Sequence, residues 1–294
     1  MQERAAMLPV RMLKFLRKPA KQKLETVRFF WNAVFPAGPT EITLPFGSKW
    51  MAERSALDAG LRSGEFERLE SIFAWKFLQP GMTVLDIGAH HGYYTLLASM
   101  RVGESGKVIA FEPSPRERKR LQRHVRLNEC GNVQIEAYAL GSEDKQADLF
   151  LVEGAEDYCN SLRPPVVQAR TRTVRVKVTS VDEYLSRNRI EKVDFIKLDT
   201  EGAEREVLKG ARRLLSTAPQ PVVLSEIAEI RTAPWGYSAR EIICLLEDLK
   251  YGWFSIGMDG TLSELRSGHD LQDANLVAVP NARRGEILRS IGKE

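Results

Sequence analysis

Cysteine is scarce in this chain. Cys130, Cys159 and Cys244 are the only three, they lie far apart, and none sits in a CxxC. An odd, scattered set offers no disulfide framework and suits packed thiols in a reducing compartment. Long apolar runs are missing too: no stretch reaches about 18 apolar residues, so no spanning helix is expected. The N-terminus lacks an uninterrupted apolar core followed by a small-residue cleavage site, so no signal peptide is expected and the cytoplasm is the default location. Net positive charge is missing from most of the chain. Residues 1–36 hold eight Lys or Arg against two acids, a net +6, while all 294 residues together reach only +4. An enzyme of nucleic acids would carry basic surface on its folded body, so no nucleic-acid partner is expected.

What is present is enough for one large domain with extensions. Residues 1–36 mix those cations with Leu8, Met12, Leu13, Phe15, Leu16, Phe29, Phe30 and Trp31, and a helical piece after Pro19 is expected. Such a composition allows weak contact with an anionic membrane surface, or a helix packed on the domain with solvated lysines. Pro36–Pro39 reads as a linker, and Ile42–Gly47 as a short strand and turn. Phe66, Leu69, Ile72, Phe73 and Phe77 recur at helical spacing from Ser63 up to Pro80-Gly81. Residues 1–62 are therefore taken as an N-terminal extension and linker, 63–281 as the main domain and 282–294 as a tail.

Within the main domain, strands and helices alternate. Strands are expected at Thr83–Ile87, Lys107–Phe111, Val133–Tyr138, Val193–Leu198, Val222–Ile227, Trp253–Ile256 and Asn275–Val279. Ser114-Pro115-Arg116-Glu117, Ser180-Val181-Asp182-Glu183 and Ser238-Ala239-Arg240-Glu241 each read as a capping box opening a helix. The alternation breaks at Ala147–Val152 and Thr173–Val178, an expected inserted β-hairpin. Two final strands joined without a helix imply one antiparallel strand in an otherwise parallel sheet. The fold class is α/β, Rossmann-like, with helices on a mostly parallel sheet.

The stretch that locates a ligand is Val84-Leu85-Asp86-Ile87-Gly88-Ala89-His90-His91-Gly92-Tyr93: a strand, a tight turn and a helix start. Ligands in such sheets bind where strand carboxyl ends meet helix N-termini. A dinucleotide fingerprint needs glycine two positions after Gly88, and His90 stands there. Asp86 at the strand end would repel a diphosphate but suits an ammonium or sulfonium group. Glu112, ending the second strand, is placed to accept hydrogen bonds from both ribose hydroxyls. Together these residues point to S-adenosyl-L-methionine. An NAD-dependent oxidoreductase on a related sheet, or a binding module without turnover, are the alternatives.

The runs VLDIGAHHGYYTLLAS, VIAFEPSP, NVQIEAYALG and above all VDFIKLDTEGAEREVLKGA resemble the FkbM family of S-adenosylmethionine-dependent methyltransferases over roughly residues 80–230. The resemblance implies a seven-stranded methyltransferase sheet and O-methylation of a hydroxyl on a small molecule, glycan or other secondary metabolite. It places Asp86, Gly88, Ala89, His90, Gly92 and Tyr93 around the methionine end, Glu112 with Pro113 at the ribose, and Tyr138-Ala139 by the adenine. The family turn reads Gly-Ala-Asn-x-Gly, so His90 replaces an expected Asn.

Methyl transfer is an in-line displacement, for which the protein supplies alignment and a route for the hydroxyl proton. Lys197, Asp199 and Glu201 end the fourth parallel strand beside the first; alternation puts Lys197 and Asp199 on one face. Asp199 is expected to line the active site, as a base or as a cofactor ligand. Glu201 serves as a second acid or merely favours a helix start, and Lys197 as a counter-ion. His90 and His91 offer a titratable base; as neighbours they should point apart, leaving one, His91 or His90, facing the pocket. Asn160-Ser161, in the inserted loop, are expected to close the pocket; Glu226, Trp235 and Tyr237 are the remaining acceptor-side candidates. Asp199 with Glu226 is the best metal pair, but no close ligand spacing supports it and no metal is assigned.

Overall fold

The first strand of the domain is TVLDI and its neighbour KVIAF: β-branched, nearly continuous apolar runs that suit strands covered on both faces. In a computed structural model of the chain, described over residues 39–53, 55–154, 158–165, 169–265 and 274–292, they form the centre of a large sheet. The basic segment 1–36, its expected helix and its suggested membrane contact lie outside the described residues. No helix among the described residues is long and apolar enough to cross a membrane.

The chain opens with an antiparallel pair, β1 (Thr40–Thr43) and β2 (Lys49–Ala52), then helices α1 (Ala56–Ser63) and α2 (Arg68–Phe77). The helix expected from Ser63 is α2, which begins only at Arg68; α1 ends where that helix was expected to start. Gly64 ends α1 in the left-handed region, and Glu67 at φ +39° turns the chain into α2. The boundary set at 62/63 falls in the last turn of α1.

Next come β3 (Thr83–Ile87), α3 (Tyr93–Val102), β4 (Lys107–Phe111), α4 (Pro115–Leu127) and β5 (Val133–Glu136), with all three strands parallel. The third strand was expected to run on to Tyr138. It breaks at Ala137, and β6 (Tyr138–Leu140), β7 (Lys145–Val152) and β8 (Thr171–Thr179) build a separate three-stranded sheet around the expected hairpin. The main sheet resumes through α5 (Val181–Arg187), β9 (Phe195–Leu198), α6 (Glu204–Gly210), α7 (Arg212–Ser216) and β10 (Val222–Ile227). It closes with α8 (Glu229–Thr232), α9 (Ala239–Asp248), β11 (Tyr251–Ile256), β12 (Leu262–Glu264), β13 (Ala274–Pro280) and α10 (Arg284–Ile291).

The strand order β12-β11-β13-β10-β9-β3-β4-β5 gives eight strands where seven were expected. The extra one is β12, three residues long and too short to show periodicity. It runs antiparallel to β11, so two strands, β12 and β13, oppose the rest. The order reverses between β3 and β9, both of which are parallel to their neighbours. That reversal is the switch point where such sheets open a crevice.

Alternate strand residues feed two cores. Leu85, Ile87, Ile109 and Ile196 pack with α5, α6 and α9; Val84, Val108, Phe195 and Leu224 pack with α2 and α3. Ile287 and Ile291 of α10 join the second core, so α10, which falls in the expected tail, packs on the domain. The capping serines act as expected: the Ser114, Ser180 and Ser238 side chains each cap the helix that follows. Glu241 completes the box with its own carboxylate, whereas Glu117 directs its carboxylate to Arg116 and Asn160.

Asp58 ties the N-terminal strands and α1 to the domain. Its buried carboxylate accepts from Trp50 Nε1 (2.8 Å), Ser55 Oγ (2.8 Å), the Glu53 amide (2.9 Å) and Arg120 Nη2 of α4 (3.1 Å). Burial opposes the charge, but the Trp50 N–H, the Arg120 guanidinium and Ser55 outweigh it and hold the carboxyl below its ordinary 3.8. Asp58→Ala leaves the Trp50 N–H and other buried donors unpaired and Arg120 with only its longer Glu53 pairing, and is expected to cost about 3–5 kcal/mol in denaturant unfolding. Because the folded value is lowered, the stabilisation is complete above pH 3.8 and lost as pH falls through the lowered value. A variant as stable as wild type at neutral pH would contradict this role.

Candidate active site at the switch point

A cavity of about 420 Å³ opens at the carboxyl ends of β3, β4, β9 and β10, the size of a small-molecule site. Its base is the turn after β3. The Gly88 and Ala89 amides donate to the Phe111 carbonyl (3.1 and 3.0 Å), and the Asp199 amide donates to the Ile87 carbonyl (3.0 Å). Gly88 sits at φ +85°, and a Cβ there would lie 1.7 Å from the Asp199 carbonyl oxygen. No other residue fits. Gly92, at φ +96°, starts α3, where a Cβ would strike Leu121; it supports the turn without lining the cavity.

His90 adopts φ +50°, a left-handed conformation that Asn tolerates well and that histidine reaches more often than most residues. This overturns the expectation that His90 and His91 point apart. The two rings stack, with centroids 3.6 Å apart, and both line the cavity. His91 faces Glu117, its Nε2 3.8 Å from Oε2.

The Glu112 carboxylate is held by two backbone amides, His90 to Oε2 and Ser114 to Oε1, each at 2.8 Å. Burial pushes its carboxyl up to about 8 despite those donors. Asp86 is buried under the turn, accepts from the Thr95 hydroxyl, and is pushed by burial to about 6. Pro113, Tyr93, Tyr138 and Ala139 complete this half of the wall.

The other half is acidic. Lys197, 2 % exposed, reaches Asp199 Oδ2 (3.2 Å), Asn275 Oδ1 (3.4 Å) and Glu67 Oε2 (3.8 Å), and lies 5.0 Å from the centre of the Tyr94 ring. Burial disfavours its charge, but Asp199, Glu67 and Glu226 outweigh that and hold the ammonium above its ordinary value. Glu201 pairs with Arg231 Nε at 2.9 Å, and burial beside Asp199 still keeps its carboxyl well above the ordinary value. Glu226 is raised to about 8 by burial and by Asp199. One carboxylate oxygen from each of Asp199, Glu201 and Glu226 falls within 4.8 Å of the others, a cluster no sequence spacing reveals.

Three further residues shape this half and were not singled out from the sequence. Glu204 accepts from the Thr200 amide (2.8 Å), the Thr200 hydroxyl (2.9 Å) and the Gly202 amide (3.3 Å), fixing the turn that carries Asp199 and Glu201. It is the last acid of KLDTEGAE, so a signal was present. Glu67 accepts from the Tyr94 hydroxyl at 2.6 Å and lines the cavity from the turn before α2; Arg231 lines it from α8. Neither belongs to a pattern.

Asn160 and Ser161 of the inserted loop line the cavity. Asn160 donates to Glu117 Oε1 (2.7 Å) and accepts from the Val152 amide (2.9 Å), while the Ser161 hydroxyl donates to the Glu201 carbonyl (2.9 Å). The two acceptor-side aromatics are elsewhere. Tyr237 is buried, its hydroxyl bonded to the Gly202 carbonyl and its ring under Arg205. Trp235 packs against Gly202, where a Cβ would meet the indole at 2.7 Å. Both brace the Gly202 turn, and with their side chains taken up there neither lines the cavity.

The FkbM methyltransferase domain model matches residues 86–252, more than half of the chain. Methyltransferase 1 of Beauveria bassiana is 29% identical over 143 residues, covering 43% of this chain and 57% of that protein. The ribosomal RNA large subunit methyltransferase E of Vesicomyosocius okutanii is 39% identical over 70 residues, 21% of this chain and 33% of that one. The chain thus spans less than two thirds of either curated relative. Among solved structures, the FkbM methyltransferase of Methylobacillus flagellatus aligns at 18% identity with a TM-score of 0.42, covering 70% of this chain and 48% of that one. An O-methyltransferase of Thermotoga maritima aligns at 14% and 0.41, covering 85% and 80%.

The raised carboxyls make a pH prediction. A folded-state value above the unfolded one means the folded protein binds more protons between them, so stability falls as pH rises through that window. For Glu226 the window runs from its ordinary 4.5 to about 8. Glu226→Gln is therefore expected to melt at a higher temperature than wild type near pH 8, with the difference shrinking towards pH 5. A variant that melts lower near pH 8 would show the carboxylate to be stabilising there.

Proposed function

Because the chain belongs to the FkbM methyltransferase family, we propose that it is an S-adenosylmethionine-dependent O-methyltransferase acting on a hydroxyl of a small molecule or glycan. The observation that carries this reading is the pair of acids on opposite sides of Gly88. Glu112 is fixed by two amides at one end of the cavity, and Asp199 projects from the neighbouring strand at the other. Each Glu112 oxygen accepts a single backbone bond and keeps lone-pair capacity for a ribose hydroxyl. Asp86, Asp199 and Glu226 suit the ammonium and sulfonium charges, and no glycine-rich run is present to take a diphosphate. The donor set therefore fits S-adenosylmethionine, and its acids argue against NAD.

S-adenosylmethionine, when bound, supplies an electrophilic methyl group already activated by the sulfonium. The chain aligns the acceptor and handles its proton. Asp199 orients the acceptor hydroxyl and draws off its proton, with the Lys197 ammonium 3.2 Å away as counter-charge. Glu204 holds the Asp199–Gly202 turn in register, and Glu201 is turned by Arg231 toward the acceptor side. Asn160 and Ser161 bring the inserted loop over the cavity and limit water there. The acid-rich wall suits a hydroxylated acceptor better than a phosphate polymer. A cytoplasmic location, with weak membrane contact through residues 1–36, belongs to the same reading.

Two substitutions separate the roles. Glu112→Ala is expected to weaken S-adenosylhomocysteine binding by roughly 1–3 kcal/mol in calorimetry, through loss of the ribose acceptor and of the partner of the His90 and Ser114 amides. Asp199→Asn is expected to lower the methyl-transfer rate by about 10²-fold or more with little change in that affinity. Unchanged binding in the first variant would remove the ribose assignment. Equal losses of rate and affinity in the second would make Asp199 a cofactor ligand only.

A further inference from the structure

The cavity around Asp199 has a neighbour of different character. Phe46, Leu61, Ile72, Trp75 and Leu97, from the β1–β2 turn and helices α1, α2 and α3, enclose a second cavity of about 440 Å³. Its lining holds two cations, Arg68 and Lys76, and among the described residues no acid, whereas six acids line the first. Phe66 and Tyr93 line both cavities, so the two adjoin. We propose that the second cavity holds the apolar body of the methyl acceptor and that this body carries an anionic group: the acceptor is a hydroxylated amphiphilic acid. This substrate class rests on the methyl-transfer reading, which leaves the acceptor open.

The shared wall lies on the Asp199 side. Tyr93 meets Phe46 and Phe66 edge to face, with centroids 5.3 and 5.0 Å away, and its hydroxyl is 2.9 Å from that of Ser71. Glu67, which follows Phe66, lies 3.8 Å from Lys197, and the ring of Tyr94, which follows Tyr93, is centred 5.0 Å from the same ammonium. Lys197 in turn reaches Asp199 at 3.2 Å. The second cavity thus adjoins the half of the first that handles the acceptor's proton, not the Glu112 half assigned to the ribose. The acceptor oxygen displaces the sulfonium sulfur at the methyl carbon and passes its proton to Asp199, giving a methyl ether and S-adenosylhomocysteine.

Charge sets the direction of binding. Arg68, Ser71, Ile72, Trp75 and Lys76 recur at i, i+3, i+4, i+7 and i+8 along α2, one stripe that faces the cavity. Its two cations stand about 12 Å apart along the helix axis. Among the described residues neither is in an ion pair, although Asp259 in the β11–β12 turn feels the Lys76 charge. These cations attract an anionic end and the acids of the first cavity repel it, which leaves the hydroxyl at Asp199. The same cations disfavour residues 1–36, with a net +6, as the occupant. The apolar wall favours a chain or ring over a free sugar, whose hydroxyls would find no partners there.

The test titrates the full-length protein with decanoate, read by displacement of fluorescent anilinonaphthalene sulfonate. The wild type should bind decanoate saturably. The double variant Arg68→Glu, Lys76→Glu should bind it about 10-fold or more weakly, with thermal melts confirming a folded protein. Labelled S-adenosylmethionine then compares two acceptors that carry a hydroxyl at one end and a carboxylate at the other. Transfer to 10-hydroxydecanoate should exceed transfer to 4-hydroxybutyrate about 10-fold or more, because the longer chain buries more apolar surface. No saturable displacement, or equal decanoate affinity in the folded double variant, overturns the site and leaves the cavity to another occupant, residues 1–36 or a second copy of the chain. Equal or faster transfer to the shorter acid, or transfer to neither while decanoate binds, overturns the acceptor role. S-adenosylhomocysteine affinity, measured on the same samples, reports the cofactor assignment separately.

Discussion

The approach of two turns to one another governs this site. The loops that leave β3 and β9 cross so closely that a single methyl group on Gly88 would lie 1.7 Å from the Asp199 carbonyl oxygen. That contact forces glycine, forces the left-handed backbone, and puts Asp86, Glu112 and Asp199 around one cavity. The order reversal between β3 and β9 supplies the opening. Glu204, bonded to three donors of the Asp199–Gly202 turn, fixes the other side of the crossing, and Tyr237 and Trp235 brace it from behind.

The acids gathered there outnumber the cations. Glu67, Asp86, Glu112, Asp199, Glu201 and Glu226 face only Lys197 and Arg231 among the described residues of the cavity wall. Burial with like charges raises Glu67, Asp86, Glu201 and Glu226 above their ordinary values. Such a wall is unfavourable by itself and becomes favourable when a positively charged ligand enters. The proposed preference for a cationic cofactor over a dinucleotide thus rests on electrostatics as well as on sterics.

Much of the sheet was legible because buried parallel strands are near-continuous apolar runs and serine caps mark helix starts. Asp86, Glu112 and Asp199 were legible because strand ends at a switch point have a defined chemistry. Other features depended on backbone conformation or on distant partners. Histidine stacking follows from φ +50° at His90, which the residue type does not dictate. Glu67 reaches the site only through its left-handed turn before α2. Arg231 comes from a four-residue helix, too short for a periodic signal. Trp235 and Tyr237 look like acceptor contacts by position, but packing on Gly202 turns them away.

The central claim is that the cavity selects a sulfonium nucleoside over a dinucleotide. Parallel calorimetric titrations of the wild-type chain with S-adenosylmethionine and with NAD⁺ test it most directly. Saturable one-to-one binding of S-adenosylmethionine, with no heat from NAD⁺ at the same concentrations, is the expected result. Binding of NAD⁺ with comparable or higher affinity would contradict the account.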